Sequence, residues 1–180
     1  GVMGTEYAIR SGEKPEVAQA IREHYQPRYS GDDLPQTDLG IAVSTADKLD
    51  TLVGCFAVGI QPTGSQDPYA LRRQALGICH MLLDKGVELP LDSMVGYAYD
   101  RYLGMPEVKL KLAREEVVKE VLEFVRLRLR NLLLEKGIGY DVADAALAAG
   151  SSAVPDLFRR AEAISSFKER SEFSDLITAY

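Results

Sequence analysis

The sequence predicts an all-α protein. Its apolar residues recur at the three- and four-residue spacing of amphipathic helices, and no stretch alternates apolar and polar residues in the way a half-buried strand does. Glycine and proline residues separate the periodic stretches, which is typical of connections between helices. The chain has 180 residues, of which 46% are hydrophobic and 27% charged, so it can bury a core of ordinary globular composition.

The first third of the chain predicts two short helices and a long one. A helix over residues 2–10 is followed by one that begins at Pro15, a favourable first-turn residue. Residues 26–37 hold the prolines, glycine and aspartates of an ordered loop. Asp38 is then expected to cap a helix that runs through Val58. The buried stripe of this helix is predicted to be Ile41, Leu49, Leu52 and Phe56.

The middle of the chain predicts two further helices. After a break at residues 59–66, Asp67 is expected at the N-cap and Pro68 in the first turn of a helix that Gly86 ends. A shorter helix is predicted from about residue 91 to residue 103. The buried residues of the first of these helices are predicted to be Leu71, Ala75, Ile78 and Leu82.

Gly104, Met105 and Pro106 interrupt the helical pattern, and a longer helical pattern follows them. This change predicts a domain boundary, with one domain at residues 1–104 and a helical linker at 105–180. The linker opens with a single predicted helix over residues 107–136, roughly 45 Å long at about 1.5 Å per residue. Gly137 and Gly139 stop this helix, and two or three short helices are expected after them. Neither end of the chain carries a clear start or stop signal, so we expect an excised part of a longer protein.

The composition excludes several classes of protein. The formal net charge is −6, so any contact with RNA has to come from a local patch rather than from a basic field over the whole chain. Cys55 and Cys79 lack CxxC spacing, which argues against a disulfide framework or a zinc site. No apolar run approaches the ~18 residues of a membrane span, and no signal peptide precedes the first helix. A cytoplasmic location is expected.

The sharpest candidate for a binding site is the break before the predicted fourth helix. Thr63 and Ser65 supply hydroxyl groups there, and Gly64 lets a ligand approach the backbone. The helix start that follows offers free N–H groups and a partial positive charge, which favour phosphate or carboxylate. Arg72 and Arg73 lie one turn further on. These residue types together are suited to bind an RNA phosphate.

Other interpretations of the same residues stay open at this point. Asp67 itself can occupy the helix N-terminus, and the two arginines can pair with Asp47, Asp50 or another acid. Asp47 and Asp50 lie on one helix face and could hold a metal, but helical aspartates three residues apart are more often solvated or ion-paired. His24 and His80 show no metal-binding spacing. No catalytic residue is therefore predicted.

A family resemblance is carried by four segments of the chain, at residues 23–27, 31–35, 46–51 and 62–73, and shorter matches extend over nearly the whole length. These segments resemble the middle of the β subunit of the bacterial-type, two-subunit glycyl-tRNA synthetase. Gln66 stands where lysine is usual in that family and Tyr69 where phenylalanine is usual, so residue 66 is not included among the expected phosphate contacts.

The resemblance implies that residues 1–104 are similar to the HD phosphohydrolase fold, an α-helical domain. Active members of that fold bind metal through a His, a His-Asp pair and a distant Asp. Asp47 matches the distant Asp, but the other ligands are missing from this chain. The implied domain is therefore degenerate, with no metal site and with Asp47 as a relic. An active metal-dependent phosphohydrolase is the alternative, and a metal-supplemented phosphatase assay tests it.

The resemblance also implies a part in glycine–tRNA ligase activity. The α subunit would hold ATP, Mg and glycine and form the adenylate, so no cofactor is expected in this segment. Its partners would be tRNA(Gly), the α subunit and the remainder of the β subunit. A purely structural helical scaffold within the β subunit is the alternative role. The residues expected to bind the tRNA backbone are Thr63, Gly64, Ser65, Arg72 and Arg73, with support from Lys48.

Overall fold

The computed structural model of the chain describes residues 1–150, 153–173 and 178. Within these residues an isolated bridge between Thr63 and Gln66 is the only β pairing, so the predicted all-α class is confirmed. None of the described helices is long and apolar enough to cross a membrane. The named helices are α1 (Val2–Arg10), α2 (Pro15–Glu23), α3 (Asp38–Ala57), α4 (Leu71–Asp84), α5 (Leu91–Tyr102), α6 (Arg114–Glu135), α7 (Tyr140–Ala148) and α8 (Val154–Lys168).

Helix α3 packs against α2, α4, α5 and α6, and α6 in turn packs against α4, α5, α7 and α8. Leu52 and Phe56 on the inner face of α3 are 0% and 2% exposed. Burying a side chain of this size contributes about 1.5–3 kcal/mol relative to leaving it in water, which explains why this face turns inward. The predicted stripe is confirmed, because its four members Ile41, Leu49, Leu52 and Phe56 are all buried.

The residue that caps α3 is Thr37, not Asp38 as the sequence predicts. Its Oγ1 atom accepts a hydrogen bond from the Gly40 N–H at 3.0 Å and donates one to Glu23 Oε2 at 2.6 Å. A hydroxyl can do both, whereas an ionised carboxylate only accepts. The Thr37 N–H and the Gln19 side chain also donate to Glu23. The buried Glu23 carboxylate thus joins the end of α2 to the start of α3.

Helix α6 is shorter than the helix predicted over residues 107–136, which is a correction of that prediction. Residues 107–113 are not helical because their backbone has a partner elsewhere in the fold. The N–H groups of Lys111 and Leu112 donate to the carbonyl of Ala57 at 2.7 and 3.2 Å. This carbonyl is one of those that a helix leaves without an intrahelical partner at its C-terminal end. Apolar periodicity carries no information about such a distant partner.

The hydrophobic core extends across the boundary predicted between residues 104 and 105. Val117 and Val121 on α6 are completely buried and belong to the same cluster of side chains as Phe56 and Leu71. Helix α8 packs against α4 and α6, so its contacts also cross this boundary. The two parts of the chain share one core, and the division into an HD-like domain and a linker stays a prediction.

Candidate nucleic-acid interface

The break before α4 contains a tight turn that two hydrogen bonds close. The Thr63 N–H donates to the Gln66 carbonyl at 3.1 Å, and the Gln66 N–H donates to the Thr63 carbonyl at 2.8 Å. Gly64 has a φ of +52°, in the left-handed region that favours glycine. Thr63, Gly64 and Ser65 are all exposed. The turn therefore presents the two hydroxyl groups of the predicted site to solvent.

The N-terminus of α4 is occupied by one of the protein's own carboxylates. Asp67 Oδ1 accepts a hydrogen bond from the Leu71 N–H at 2.8 Å, and Oδ2 accepts one from the Arg72 N–H at 2.9 Å. The sequence predicts Asp67 at the N-cap and Pro68 in the first turn, and this is wrong in position. A turn over residues 67–70 delays the helix, so Asp67 caps it from further away. These two N–H groups are not available to RNA.

Ala70, the N-cap residue of α4, has a left-handed backbone conformation with φ 54° and ψ 37°. Among the described residues it is the only one other than glycine with a positive φ. This conformation costs a residue with a Cβ atom about 1–2 kcal/mol. We expect Ala70→Gly to stabilise the chain by about 0.5–1 kcal/mol, because the relieved strain exceeds the added entropy of the unfolded chain.

Urea unfolding of the chain measures this change. Ala163→Gly is the matched control, because Ala163 is an exposed residue in the interior of α8 with ordinary helical geometry. Glycine at such a position costs about 1 kcal/mol. If Ala70→Gly lowered the free energy of unfolding by as much as the control does, the left-handed conformation of Ala70 would store no strain.

Arg72 lies on the side of α4 that faces the turn. Its Nη2 atom donates to the Gly64 carbonyl at 2.7 Å, which connects the helix start to the loop. Arg128 of α6 is nearby, with its guanidinium 3.6 Å from the centre of the Phe124 ring and its Nη1 atom bonded to the Phe124 carbonyl at 2.7 Å. Burial, and then the positive charge of Arg72, lower the pKa of Arg128. The Asp67 carboxylate acts to raise the pKa of Arg128, so this guanidinium is influenced by charges of both signs at the start of α4.

Sequence patterns did not indicate Arg128 as a neighbour of the predicted site. The basic residues that share a stripe on α6 include Arg126 and Arg130, which lie on other faces of the helix. A signal was present, because Arg128 follows Phe124 by one helical turn and arginine over an aromatic ring is a frequent pairing. Its place beside Arg72 depends on the packing of α6 against α4, which the sequence does not reveal.

Arg73 points away from the turn and lines a separate cleft of about 730 Å³. Successive residues of a helix project about 100° apart, so adjacent arginines face different surfaces. Asp47, Lys48 and Arg22 line the same cleft. The structure thus divides the predicted site. Arg72 lies with Thr63, Gly64 and Ser65, whereas Arg73 lies with Lys48.

Lys48 lies in the separate cleft and does not present its ammonium group to solvent beside the turn. It is 4% exposed, and its Nζ atom donates to the His24 carbonyl at 3.0 Å and to Ser44 Oγ at 2.8 Å. Burial lowers the pKa of Lys48; Asp47 opposes this shift, and the charge of Arg73 adds to it. Helical spacing is consistent with this burial, because Lys48 follows Ile41 by seven residues and precedes Leu52 by four, which places it on the buried face of α3.

Asp47, the residue that matches a metal ligand of the HD fold, is exposed near two basic residues. Over residues 1–150, 153–173 and 178 there is no group of three or more His, Cys, Asp or Glu side chains placed to hold a metal ion. Asp50 is also exposed, and its carbonyl accepts a hydrogen bond from the Tyr102 hydroxyl at 3.0 Å. The interpretation of Asp47 as a relic stays a prediction.

Comparison with known proteins identifies the family to which this chain belongs. One family model matches residues 1–148, and its description is glycyl-tRNA synthetase beta subunit. The chain belongs to this family. The match covers α1 to α7 and therefore includes the turn, both arginines and the cleft. The resemblance seen in the sequence is confirmed.

Individual members of the glycyl-tRNA synthetase β subunit family agree with this assignment. The chain is 52% identical to the glycine–tRNA ligase beta subunit of Desulforamulus reducens over 180 residues. It is 46% identical to that of Clostridioides difficile and 48% identical to that of Geobacter sulfurreducens, again over 180 residues. These alignments include all of the present chain but only 26%, 25% and 26% of the relatives. The chain spans about a quarter of the length of the relatives it matches.

Proposed function

We propose that this chain is the part of a glycine–tRNA ligase β subunit that helps to bind and position tRNA, without a catalytic site of its own. Its partners are tRNA(Gly), the α subunit and the remainder of the β subunit, and it works in the cytoplasm, where proteins are made. In this proposal ATP, Mg and glycine are held by the α subunit. The relatives are named as beta subunits of this ligase, which supports the assignment.

The observation that carries the proposal is that Arg72 and Arg73 have no carboxylate partner among the described residues. The Arg72 guanidinium donates to a carbonyl and not to a carboxylate, and Arg73 is exposed. Guanidinium groups in this state are suited to two-point binding of phosphate. By contrast, five other arginines are ion-paired within the chain: Arg28 with Asp32, Arg114 with Asp100, Arg130 with Asp144, Arg159 with Glu88 and Arg160 with Asp156.

The basic residues of α6 are less suited to bind RNA. Lys119 and Arg126 share a shallow groove with Glu115 and Glu123, so charges of both signs alternate along it. A phosphate that approaches this groove meets carboxylates as often as cations. The start of α4 is therefore the better candidate on a chain whose net charge is −6.

The test is to replace both arginines, Arg72→Ala with Arg73→Ala, in the complete two-subunit enzyme and to titrate tRNA(Gly) at several salt concentrations. Removing each charge-assisted hydrogen bond is expected to cost about 1.5–3 kcal/mol of binding. The slope of log affinity against log salt is expected to flatten by about 0.7–0.9 for each phosphate that the enzyme no longer binds. Adenylate formation from ATP and glycine is expected to stay unchanged, because the proposal assigns it to the α subunit.

The matched control is Arg114→Ala with Arg159→Ala, which removes two positive charges from arginines that are ion-paired elsewhere on the surface. This control enzyme should keep the salt slope of the wild type, because its arginines already have carboxylate partners. If the Arg72 and Arg73 variant binds tRNA with unchanged affinity and slope, the segment is a structural scaffold and the proposed tRNA contact is wrong.

A further inference from the structure

The cleft beside α4 contains more positive than negative groups, although the chain as a whole is acidic. It lies between the start of α1, the end of α2, the loop that follows α2 and the first turns of α4, with α3 as its floor. Its volume of about 730 Å³ is in the range of sites that enclose a small molecule or a nucleotide. Its charged lining residues are Arg22, Arg28, Lys48 and Arg73 with Asp33 and Asp47.

The buried cation at the floor of this cleft has no carboxylate of the described residues in direct contact with it. Lys48 donates to a carbonyl and a hydroxyl, and no ion pair joins it to a carboxylate in the part of the chain that the structure describes. A buried charge is costly unless it is paired. Gly77 of α4 lies close to the Lys48 side chain, because a Cβ atom added to Gly77 would lie 3.4 Å from Lys48 Cε. An anion in the cleft would compensate this charge.

The rim of the cleft adds two exposed arginines. Arg22 and Arg73 are exposed and have no ion pair with the described carboxylates. Arg28 is different, because its Nε atom is 2.9 Å from Asp32 Oδ2 and that pairing neutralises it. When that pair is set aside, the cleft is lined by the three cations Arg22, Lys48 and Arg73 and by the two carboxylates Asp33 and Asp47. The cleft therefore keeps a net positive charge where it opens to solvent.

We propose that this cleft, with Arg22 and Arg73 at its rim and Lys48 at its floor, binds a single phosphate group of the tRNA. The inference rests on the proposed tRNA contact and extends it. Arg72 faces the turn and Arg73 faces the cleft, so an RNA strand that crosses the start of α4 meets both surfaces. In this proposal Asp47 binds no ligand. Its negative charge repels phosphate and so lowers the affinity of the cleft for the tRNA.

The experiment uses the complete two-subunit enzyme with Arg22→Ala, Asp47→Asn and the control Arg10→Ala, an exposed arginine that does not line the cleft. Titration of tRNA(Gly) is expected to show about tenfold weaker binding for Arg22→Ala, with a salt slope flatter by about one phosphate contact. Asp47→Asn is expected to bind about two- to threefold more tightly, since it removes a repulsive charge. Arg10→Ala is expected to bind as the wild type does.

Iodine cleavage of phosphorothioate-substituted tRNA(Gly) locates the contact. One phosphate protected by the wild-type enzyme is expected to become cleavable in Arg22→Ala and to stay protected in Arg10→Ala. A merely structural role of Arg22 would not produce this local change, and it would not make Asp47→Asn bind more tightly. The opposite signs of the two effects therefore distinguish a phosphate site from a folding defect.

Three results would overturn the inference. If Arg22→Ala and Asp47→Asn bind tRNA like the wild type while Arg72→Ala alone is weakened, the cleft is not an RNA site although the proposed function stands. If the double variant Arg72→Ala with Arg73→Ala also binds normally, both proposals fail. In the third result, the enzyme broadens the ³¹P resonance of inorganic phosphate and Arg22→Ala reduces this broadening, but the iodine cleavage pattern of the tRNA does not change. The cleft then binds free phosphate instead of RNA.

Discussion

Phe56→Ala is expected to destabilise the chain by about 3–5 kcal/mol, the usual cost of removing a large buried aromatic side chain. Phe56 is 2% exposed, and its ring meets the Phe124 ring edge-on with centroids 5.2 Å apart. The substitution leaves a cavity between α3 and α6 and removes this aromatic pair, which adds about 0.5–1.5 kcal/mol beyond burial. The free energy of unfolding of the chain in urea measures the change.

The control for Phe56→Ala is Tyr7→Ala, which also truncates an aromatic side chain in a helix. Tyr7 is 64% exposed on α1, so its removal opens no cavity in the chain. Surface substitutions of this kind change the free energy of unfolding by about 0.5 kcal/mol or less. If the two variants had similar unfolding midpoints, Phe56 would not belong to the core.

Glu23→Ala is expected to cost about 2–3 kcal/mol of unfolding free energy at neutral pH, within the range of about 1.5–3 kcal/mol for hydrogen bonds to a charged group. The Glu23 carboxylate accepts hydrogen bonds from the Thr37 hydroxyl, the Thr37 N–H and the Gln19 amide at 2.6, 3.2 and 2.7 Å. These donors are left without their acceptor when the carboxylate is removed. Urea unfolding of the chain at pH 7 measures the destabilisation.

The same carboxylate makes stability depend on pH. Burial acts to raise the pKa of Glu23, but the hydrogen bonds from Thr37 and Gln19 outweigh burial and hold its pKa below the usual 4.5. A carboxyl group with a lowered pKa in the folded state stabilises that state above its unfolded pKa, and the contribution is lost as pH falls through the folded pKa. The difference in unfolding free energy between the wild type and Glu23→Ala should therefore become smaller as the pH falls below 4.5.

Glu13→Ala provides the comparison, because Glu13 is an exposed carboxylate in the turn between α1 and α2. It is expected to leave both the unfolding free energy and its dependence on pH close to those of the wild type. The role assigned to the ionised Glu23 carboxylate would be contradicted if the difference in unfolding free energy between the wild type and Glu23→Ala stayed constant from neutral to acidic pH.

Apolar spacing predicted the fold well where helices pack through their own regular faces. The bounds of α1 are those predicted, and Leu71, Ala75, Ile78 and Leu82 of α4 are buried as expected. The helix starts were predicted less well because the polar groups that cap them lie outside the helix or across the fold. Asp67 reaches the N–H groups of α4 over an intervening turn.

The candidate site was predicted in its residue types but not in its arrangement. The turn and the arginines could be selected because glycine, hydroxyl and guanidinium groups cluster in a short stretch of sequence. Arg22 could not be connected with Lys48 and Arg73, because only the packing of α2, α3 and α4 brings these residues to one cleft. The proximity of Lys48 to Gly77 depends in the same way on the packing of α3 against α4.

The Ala57 carbonyl has a consequence for the order in which the chain matures on the ribosome. Domains generally begin to fold from the N-terminus while synthesis continues. Ala57 leaves the ribosome before the Lys111 and Leu112 N–H groups that it finally binds, so water has to solvate its carbonyl in the meantime. The C-terminal end of α3 therefore acquires these backbone partners only after the nascent chain has grown past α5.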